Sequence, residues 1–315
     1  MKIVIVGPGA MGSLLTAFLL KSKPACRQAK EEVWLLDYRK ERAAKILKSG
    51  ITIEGISGSW QVKPNVSADI NEIGPADLFI ICVKSYDTKK AIADIKPLIK
   101  ENSAVLTLQN GIGNIEIIAE VAGSEKVVGG VTNLGATFIE AGRVIYAGKG
   151  EIAIGRMDGK MTVQMRSIRG IFNKARLDTK ISRDIKGLIW SKLIINAAIN
   201  ALTAIVRVNN GKLTELESTR KIMRDAVTEA TRIAKRKRIK LFFDDPLAKV
   251  EAVAEATTTN ISSMLQDVLR KKRTEIDFIN GVIVRQGQEL GIPVPVNQML
   301  VDLVKTIEAS YAVAL

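Results

Sequence analysis

An α/β domain followed by an all-helical domain is the fold class this sequence predicts, on three observations. Residues 2–6, Lys-Ile-Val-Ile-Val, form a β-branched apolar run that ends in Gly7-Pro8-Gly9-Ala10-Met11-Gly12. Further short apolar runs then alternate with helical patterns. After about residue 183 the apolar residues recur at helical spacing and strand-like runs disappear. Strands alternating with helices argue for a parallel sheet covered on both faces. Residues 1–182 are therefore expected to form a Rossmann-type dinucleotide-binding domain and residues 183–315 a helical substrate and catalytic domain. With no low-complexity linker between them, the two are expected to pack closely, with the active site in the interdomain cleft.

The first strand, glycine turn and apolar helix (Ser13 to Leu20) form one unit. A second strand is predicted at Val33 to Leu36, ending in Asp37, which lies 25 residues after Gly12. Later candidates are Leu78 to Val83, Ala104 to Leu108, Val127 to Val131, Val144 to Tyr146 and Ile152 to Ile154. In the helical half the strong punctuation is Asn209-Asn210-Gly211, Asp244-Asp245-Pro246 and Gly291-Ile292-Pro293.

Composition excludes several classes. The chain has 315 residues, 47% of them apolar, enough for a core in each of two domains. No apolar run approaches the ~18 residues that would suggest a membrane span. Met1 leads straight into a strand without a charged lead or cleavage signature, so the expected location is the cytoplasm. Of the two cysteines, Cys26 and Cys82, the second sits in the apolar run 78–83, where a small buried hydrophobe is expected; neither a disulfide framework nor a metal site is indicated. The net charge is +14, and Lys235 to Arg238 and Arg270 to Arg273 are basic clusters. They lack interleaved aromatics, which make up only 4% of the chain, so they read as solvated helix faces and not as a nucleic-acid surface. The positive excess would also attract anionic cofactors and substrates. There is no histidine at all. Malate-type dehydrogenase chemistry, Ser-His hydrolysis and His-ligated metals are thereby excluded, and a carbonyl reduced here must take its proton from Lys, Tyr, a carboxylic acid or water.

Three constellations carry chemistry. A glycine fingerprint is a weak signal alone, but here it follows a strand and opens a helix, and an acid closes the next strand. Gly7 permits a tight turn, Gly9 lets backbone approach a pyrophosphate, Gly12 lets helix pack on sheet, and the anion rests on N–H groups at the positive helix end. Pro8, Ala10 and Met11 complete that loop. Asp37 stands where a Rossmann-type carboxylate accepts from ribose hydroxyls, which favours NADH over NADPH; Arg39 would answer a 2′-phosphate if Asp37 turned away. The second constellation is Lys192, Asn196 and Asn200, spaced i, i+4, i+8 on an otherwise apolar helix. Four-residue steps drift by only ~40°, so the three share a stripe that is costly to bury unless something polar meets it. Partial burial would lower the Lys192 pKa towards a useful range, and its ammonium fits the missing acid. The third is the stretch holding Asn260, Ser263 and Glu275. Twelve residues on one straight helix differ by roughly 120°, so a helix opening near Asp267 to Lys271 is expected after a Thr- and Ser-rich loop. Taken alone, Glu275 reads as an exposed helix carboxylate beside Lys271 and Lys272. Tyr86 and Lys90 match the YxxxK pattern of short-chain dehydrogenases, but the glycine fingerprint and the helical second half do not, and the match is set aside.

Along nearly the whole chain the motifs resemble ketopantoate reductase (2-dehydropantoate 2-reductase). They are Gly-Pro-Gly-Ala-Met-Gly at 7–12, Val83-Lys84, Gln109-Asn110-Gly111, Trp190-Ser191-Lys192-Leu193 with Asn196 and Asn200, Asn210-Gly211, Ser262 to Asp267, and Thr274-Glu275-Ile276-Asp277. The resemblance implies NAD(P)H-dependent reduction of 2-dehydropantoate to (R)-pantoate, on the route to pantothenate and coenzyme A. It implies a catalytic set of Lys192, as general acid, and Glu275. Lys84, Asn110, Asn196, Asn200, Asn210 and Ser263 would contact substrate, Ser263 at its carboxylate. Lys84, Asn110, Ala136 and Glu275 would border the nicotinamide, and Gly7 to Gly12, Asp37 and Arg39 would hold the rest of the cofactor. The family usually carries an arginine near the end of the second strand for the adenosine phosphate and prefers NADPH; here the sequence is Asp37-Tyr38-Arg39, after a longer charged segment from Lys21 to Glu32. The expected partner is a small 2-oxo acid, with no nucleic acid or membrane, and a homodimer is the candidate assembly. Two other functions fit the same plan: a dehydrogenase for another 2-oxo acid or a polyol phosphate, and a non-catalytic dinucleotide-binding sensor.

Overall fold

The structure is a computed structural model that describes residues 1–22 and 31–313. Cys26 and most of the charged segment from Lys21 to Glu32 lie outside the described residues. The chain divides into two compact units, residues 1–109 with 113–185, and residues 110–112 with 186–315.

Unit 1 holds strands β1 (Lys2–Val6), β2 (Glu32–Leu36), β3 (Ile51–Gly55), β4 (Trp60–Val62), β5 (Asn65–Ser67), β6 (Ala76–Ile81), β7 (Ile99–Thr107), β8 (Val127–Thr132), β9 (Gly135–Glu140), β10 (Arg143–Gly148), β11 (Ile152–Gly155) and β12 (Thr179–Ile181). Its helices are α1 (Ala10–Lys21), α2 (Lys40–Ser49), α3 (Ile70–Ile73), α4 (Thr88–Ile95), α5 (Asn114–Ala122) and α6 (Val163–Lys174). The main sheet runs β12-β11-β8-β7-β6-β1-β2-β5. β1 is central because Ile3 to Val6 is apolar on both faces, as a strand covered by helices on each side must be. It pairs in parallel with β2, Val6 opposite Leu36, and with β6, Val6 opposite Ile81.

Two features depart from the sequence reading. A parallel sheet is the expectation, and the main sheet is parallel but for one pair, β11 running antiparallel to β8 with Ala153 opposite Val131. A second sheet, β4-β3-β10-β9, packs on the other side of α1 from the main one. α1 is therefore buried on nearly every face, which explains its uniformly apolar sequence. Phe18 meets Trp60 and Tyr146 edge-on, with ring centroids 5.5 and 5.2 Å away.

Unit 2 is helical: α7 (Ile185–Val206, its first residue in unit 1), α8 (Lys212–Glu215), α9 (Glu217–Arg236), α10 (Pro246–Ala256), α11 (Ser263–Leu269), α12 (Asn280–Leu290) and α13 (Pro295–Ala309). α7 is long and apolar enough to cross a membrane, but 67% of its most apolar window is buried inside the protein, as in a core helix. A polar chain crosses this core. Glu229 on α9 accepts from the backbone N–H groups of Val296 (2.8 Å) and Asn297 (2.9 Å), filling acceptor positions that the start of α13 lacks. The Asn297 amide nitrogen donates to Glu229 and to the carbonyl of Ala226. Asn280 donates to Asn297 Oδ1 at 3.0 Å and to the carbonyl of Ala197 at 2.9 Å. Four helices, α9, α13, α12 and α7, are thus tied in one rotational setting.

The third constellation folds differently from expectation. α11 opens at Ser263, not near residues 267–271, because the Ser262 hydroxyl caps it by accepting from the Leu265 N–H at 3.1 Å. It stops at Leu269, and Glu275 precedes a short 3₁₀ turn, Ile276–Phe278. No continuous helix joins Ser263 to Glu275, and Glu275 is buried, 7% exposed, not displayed beside Lys271 and Lys272.

Candidate active site

In unit 1 the strands β1, β2 and β6 end together. Gly7 follows β1 with φ +104°, a conformation that side chains rarely adopt. A Cβ there would lie 2.8 Å from Cγ1 of Val83 and 2.9 Å from its backbone nitrogen. At Gly12 a Cβ would fall on the carbonyl oxygen of Gly7. Turn and helix therefore touch backbone to backbone. α1 opens after Gly9 with no side-chain cap, leaving its first N–H groups available to an anion. Beside this turn is a cavity of about 440 Å³, with Val6, Gly7, Leu36, Tyr38, Ile70 and Val83 among its walls and Lys40, Asp69, Asp87, Lys90 and Asp94 as its charged lining. It sits at the carboxyl ends of the strands where the sheet order turns between β1 and β6, the usual ligand position in such folds. Its size and mixed lining suit a nucleoside.

Asp37 does not open onto that cavity. It is 0% exposed, and both carboxylate oxygens are taken by Arg42, through Nη2 at 2.6 Å and through Nε. The N–H of Arg39 donates to it as well, at 3.1 Å. Burial alone would lower the Arg42 pKa, but the hydrogen bonds and charge of Asp37 outweigh it and hold the guanidinium above its usual value. The guanidinium carbons of Arg39 and Arg42 lie 5.4 and 5.5 Å from the ring centre of Tyr38. Cys82, half-buried behind Gly12, has its thiol pushed up to about 12 by burial, consistent with packing and not with reactivity.

In unit 2 a single helix carries Lys192, Asn196 and Asn200, so the spacing does put them on one stripe. Leu193, Ile194, Ala197 and Ala198 beside them are buried in the core. Loss of hydration pulls the Lys192 ammonium down to about 8, and the negative charge of Glu275 acts in the opposite direction. Glu275 therefore lies within electrostatic reach of Lys192 although 83 residues separate them in sequence. The segment 110–112 joins the same unit: Ile112 N–H donates to the Phe278 carbonyl at 3.0 Å, and Gly111, φ +85°, leaves no room for a Cβ against that oxygen. Asn110 is thus fastened to the turn that follows Glu275. Unit 2 thus brings a desolvated ammonium with its pKa lowered to about 8 within electrostatic reach of a buried carboxylate, on a helix that also carries two amides.

Comparison with known proteins places these features in a family. The family model "Ketopantoate reductase PanE/ApbA" matches residues 3–159, and its C-terminal counterpart matches residues 184–308. The chain belongs to the ketopantoate reductase family. A 2-dehydropantoate 2-reductase of Pyrococcus horikoshii is 37% identical over 98% of both chains. Among solved structures, a PanE/ApbA family ketopantoate reductase from Ralstonia eutropha superposes with a TM-score of 0.89 at 34% identity, covering 98% of this chain and 99% of that one. D-mandelate dehydrogenase, solved with NADH and anilino(oxo)acetate, superposes at 0.90 with 28% identity, over 99% and 100%.

The remaining site candidates of this ketopantoate reductase family member fall unevenly. Lys84 follows β6 and is half-buried; Ala136 lies on β9 opposite Tyr146, packed on the sheet core. Asn200 is buried at 7% exposure. Asn210 donates its N–H to the Asn260 carbonyl at 3.0 Å and its amide nitrogen to Thr257 Oγ1 at 2.9 Å. Ser263 is exposed, whereas its neighbour Ser262 is buried and accepts from Thr203 Oγ1 at 2.7 Å. Arg42 and Ser262 were not singled out by sequence. Ser262 is half of a Ser-Ser pair whose capping member only backbone geometry identifies. Arg42, five residues past Asp37, carries an ordinary surface-helix signature.

The Lys192 shift carries a stability signature. Its folded pKa, about 8, lies below the ordinary 10.5, so between these values the unfolded chain binds more protons and the group's contribution to stability rises with pH. Thermal unfolding of wild type and Lys192→Met across pH 7 to ~11 should therefore show the difference moving in favour of wild type between about 8 and 10.5. A difference that stays flat, or moves the other way, would mean that Lys192 is not desolvated in the folded protein.

Proposed function

We propose that this protein reduces 2-dehydropantoate to (R)-pantoate with a nicotinamide dinucleotide, a step towards pantothenate and coenzyme A. The observation that carries the reading is the half-buried Lys192 ammonium, held near pKa 8 beside Glu275 on an apolar helix, in a chain without histidine. The dinucleotide, when bound, supplies the hydride. The N–H groups after Gly9 would hold its pyrophosphate, and the cavity between Tyr38 and Val83 its adenosine. Lys192 donates a hydrogen bond to the ketone oxygen, which draws electron density from the carbonyl carbon. As that oxygen becomes an alkoxide, the ammonium passes it a proton, leaving a neutral amine that is tolerable in a desolvated place. Glu275 keeps the ammonium charged before the reaction. Asn110, Asn196 and Asn200 offer amides to the hydroxyl and carboxylate of the substrate.

Support for the phosphorylated cofactor comes from Asp37. Its carboxylate, the ground for favouring NADH, is neutralised by Arg42, while Arg39 and Lys40 remain exposed at the end of β2. NADPH is the better match for that charge pattern. The likeness to D-mandelate dehydrogenase favours a second reading, reduction of a bulkier aryl 2-oxo acid on the same plan.

The deciding assay follows oxidation of NADPH and NADH with 2-dehydropantoate and with phenylglyoxylate. A higher kcat/KM for 2-dehydropantoate is expected; the reverse order would transfer the function to the second reading, and no oxidation with either acid would remove both. Lys192→Ala should lower kcat by roughly a hundred- to ten-thousand-fold with the fold retained, and the wild-type reduction rate should decline as pH rises through about 8. Full turnover in the variant would leave only a binding role for this helix.

A separate substitution tests cofactor choice. Arg42→Met would take the guanidinium away from Asp37 and leave it the Arg39 N–H, and the ratio of kcat/KM for NADPH over NADH should drop by about tenfold. A ratio that stays constant or rises would show that the ion pair does not set the preference.

A further inference from the structure

A chain of buried hydrogen bonds behind the glycine turn has no part in the chemistry above. Gln109, just past the end of β7, uses both hydrogens of its amide nitrogen, one to the carbonyl of Val83 at 2.7 Å and one to Thr88 Oγ1 at 2.8 Å. Its amide oxygen accepts from Thr107 Oγ1 at 2.9 Å. Thr88 in turn donates to Asn114 Oδ1 at 2.8 Å, and Asn114 Nδ2 donates to Ser85 Oγ at 3.1 Å. Thr88, Asn114, Ser85 and Thr107 are all buried. The donors and acceptors run in one sense, so each group fixes the orientation of the next, and removing a hydroxyl or amide from the chain takes away one of its bonds.

What this chain grips is the segment that follows β6. Val83, whose carbonyl Gln109 holds, is the residue whose backbone nitrogen and side chain crowd the missing Cβ of Gly7. The same segment, with Val83, Asp87 and Lys90, forms one wall of the cavity beside the glycine turn. Thr88 fastens the far end of that wall, at the first residue of α4. Removing the Gln109 amide would free the Val83 carbonyl to turn, and with it the spacing between wall and turn.

We infer that Gln109, acting through Val83 and Thr88, is a positioning residue that sets the width of the dinucleotide cavity against the glycine turn. This rests on the reading of that cavity as the dinucleotide site. Its signature is a loss of cofactor affinity that is shared, not additive, between Gln109 and Thr88. A disturbance of general packing would instead lower Tm without that pattern.

The test is a double-mutant cycle on the full chain, read as the Kd for NADPH and for NADH from nicotinamide fluorescence and as the KM-against-kcat split in turnover. Gln109→Met and Thr88→Val should each weaken cofactor binding by about tenfold. The double variant should be no more than about twofold worse than the weaker single variant, since one contact is lost in both. The cofactor KM should rise while kcat at saturation stays within about threefold, and Thr88→Ser, which keeps the hydroxyl, should bind within about twofold of wild type. If Gln109→Met does not fold, Thr88→Val against Thr88→Ser decides the same point. Wild-type affinity in the folded variants, or losses that multiply in the double variant, would overturn the proposal. A wild-type protein that binds neither cofactor would overturn the dinucleotide reading itself, an outcome visible before any variant is made.

Discussion

Placing a positive charge on the otherwise apolar helix α7 is the constraint that the rest of unit 2 accommodates. A lysine so placed loses hydration, and its pKa falls to about 8 instead of remaining at 10.5. Glu275 opposes that fall, which is why a carboxylate is kept buried there. The break between α11 and α12 leaves Glu275 buried at the start of a 3₁₀ turn. The bond from Asn280 to the carbonyl of Ala197, five residues along α7, fixes the rotation that points the lysine. The setting of this charge and the packing of the helices are thus one problem in this unit.

Unit 1 solves a different problem, the close approach of backbones. Gly7 and Gly12 are needed less for flexibility than for space, one against Val83 and the other against Gly7 itself. The burial of α1 between two sheets follows from the same closeness, because a helix packed tightly on β1 leaves its outer face to be covered by β3, β4, β9 and β10. The Asp37–Arg42 pair at the end of β2 and the Gln109 chain behind Val83 are polar contacts that lie close to the cavity without lining it.

Much of this was legible in the residues. The central strands β1, β2, β6, β7 and β8 announce themselves as apolar runs because both faces are buried, and the glycine turn follows from its place between strand and helix. The stripe on α7 was readable from four-residue spacing alone. What stayed hidden depends on tertiary partners. β4, β5 and β12 have only three residues each, too few for a period to show, and β9 carries no buried residue at all. The direction of β11 depends on its pairing with β8, which local sequence does not encode. Glu275 looked exposed because Lys271, Lys272 and Arg273 stand close before it; the helix break before it and the turn at residues 276–278 go with its burial. Asp37 looked open for the converse reason, since its guanidinium partner is one turn into α2.

Selective isotope labelling of lysine side chains, with Lys192 assigned by its absence in Lys192→Met, would measure the titration of that one ammonium directly in the free enzyme. A midpoint near 8, moving lower when Glu275 is replaced by Gln, is the expected result. A midpoint near 10.5, insensitive to Glu275, would mean a hydrated surface lysine and no poised proton donor on α7.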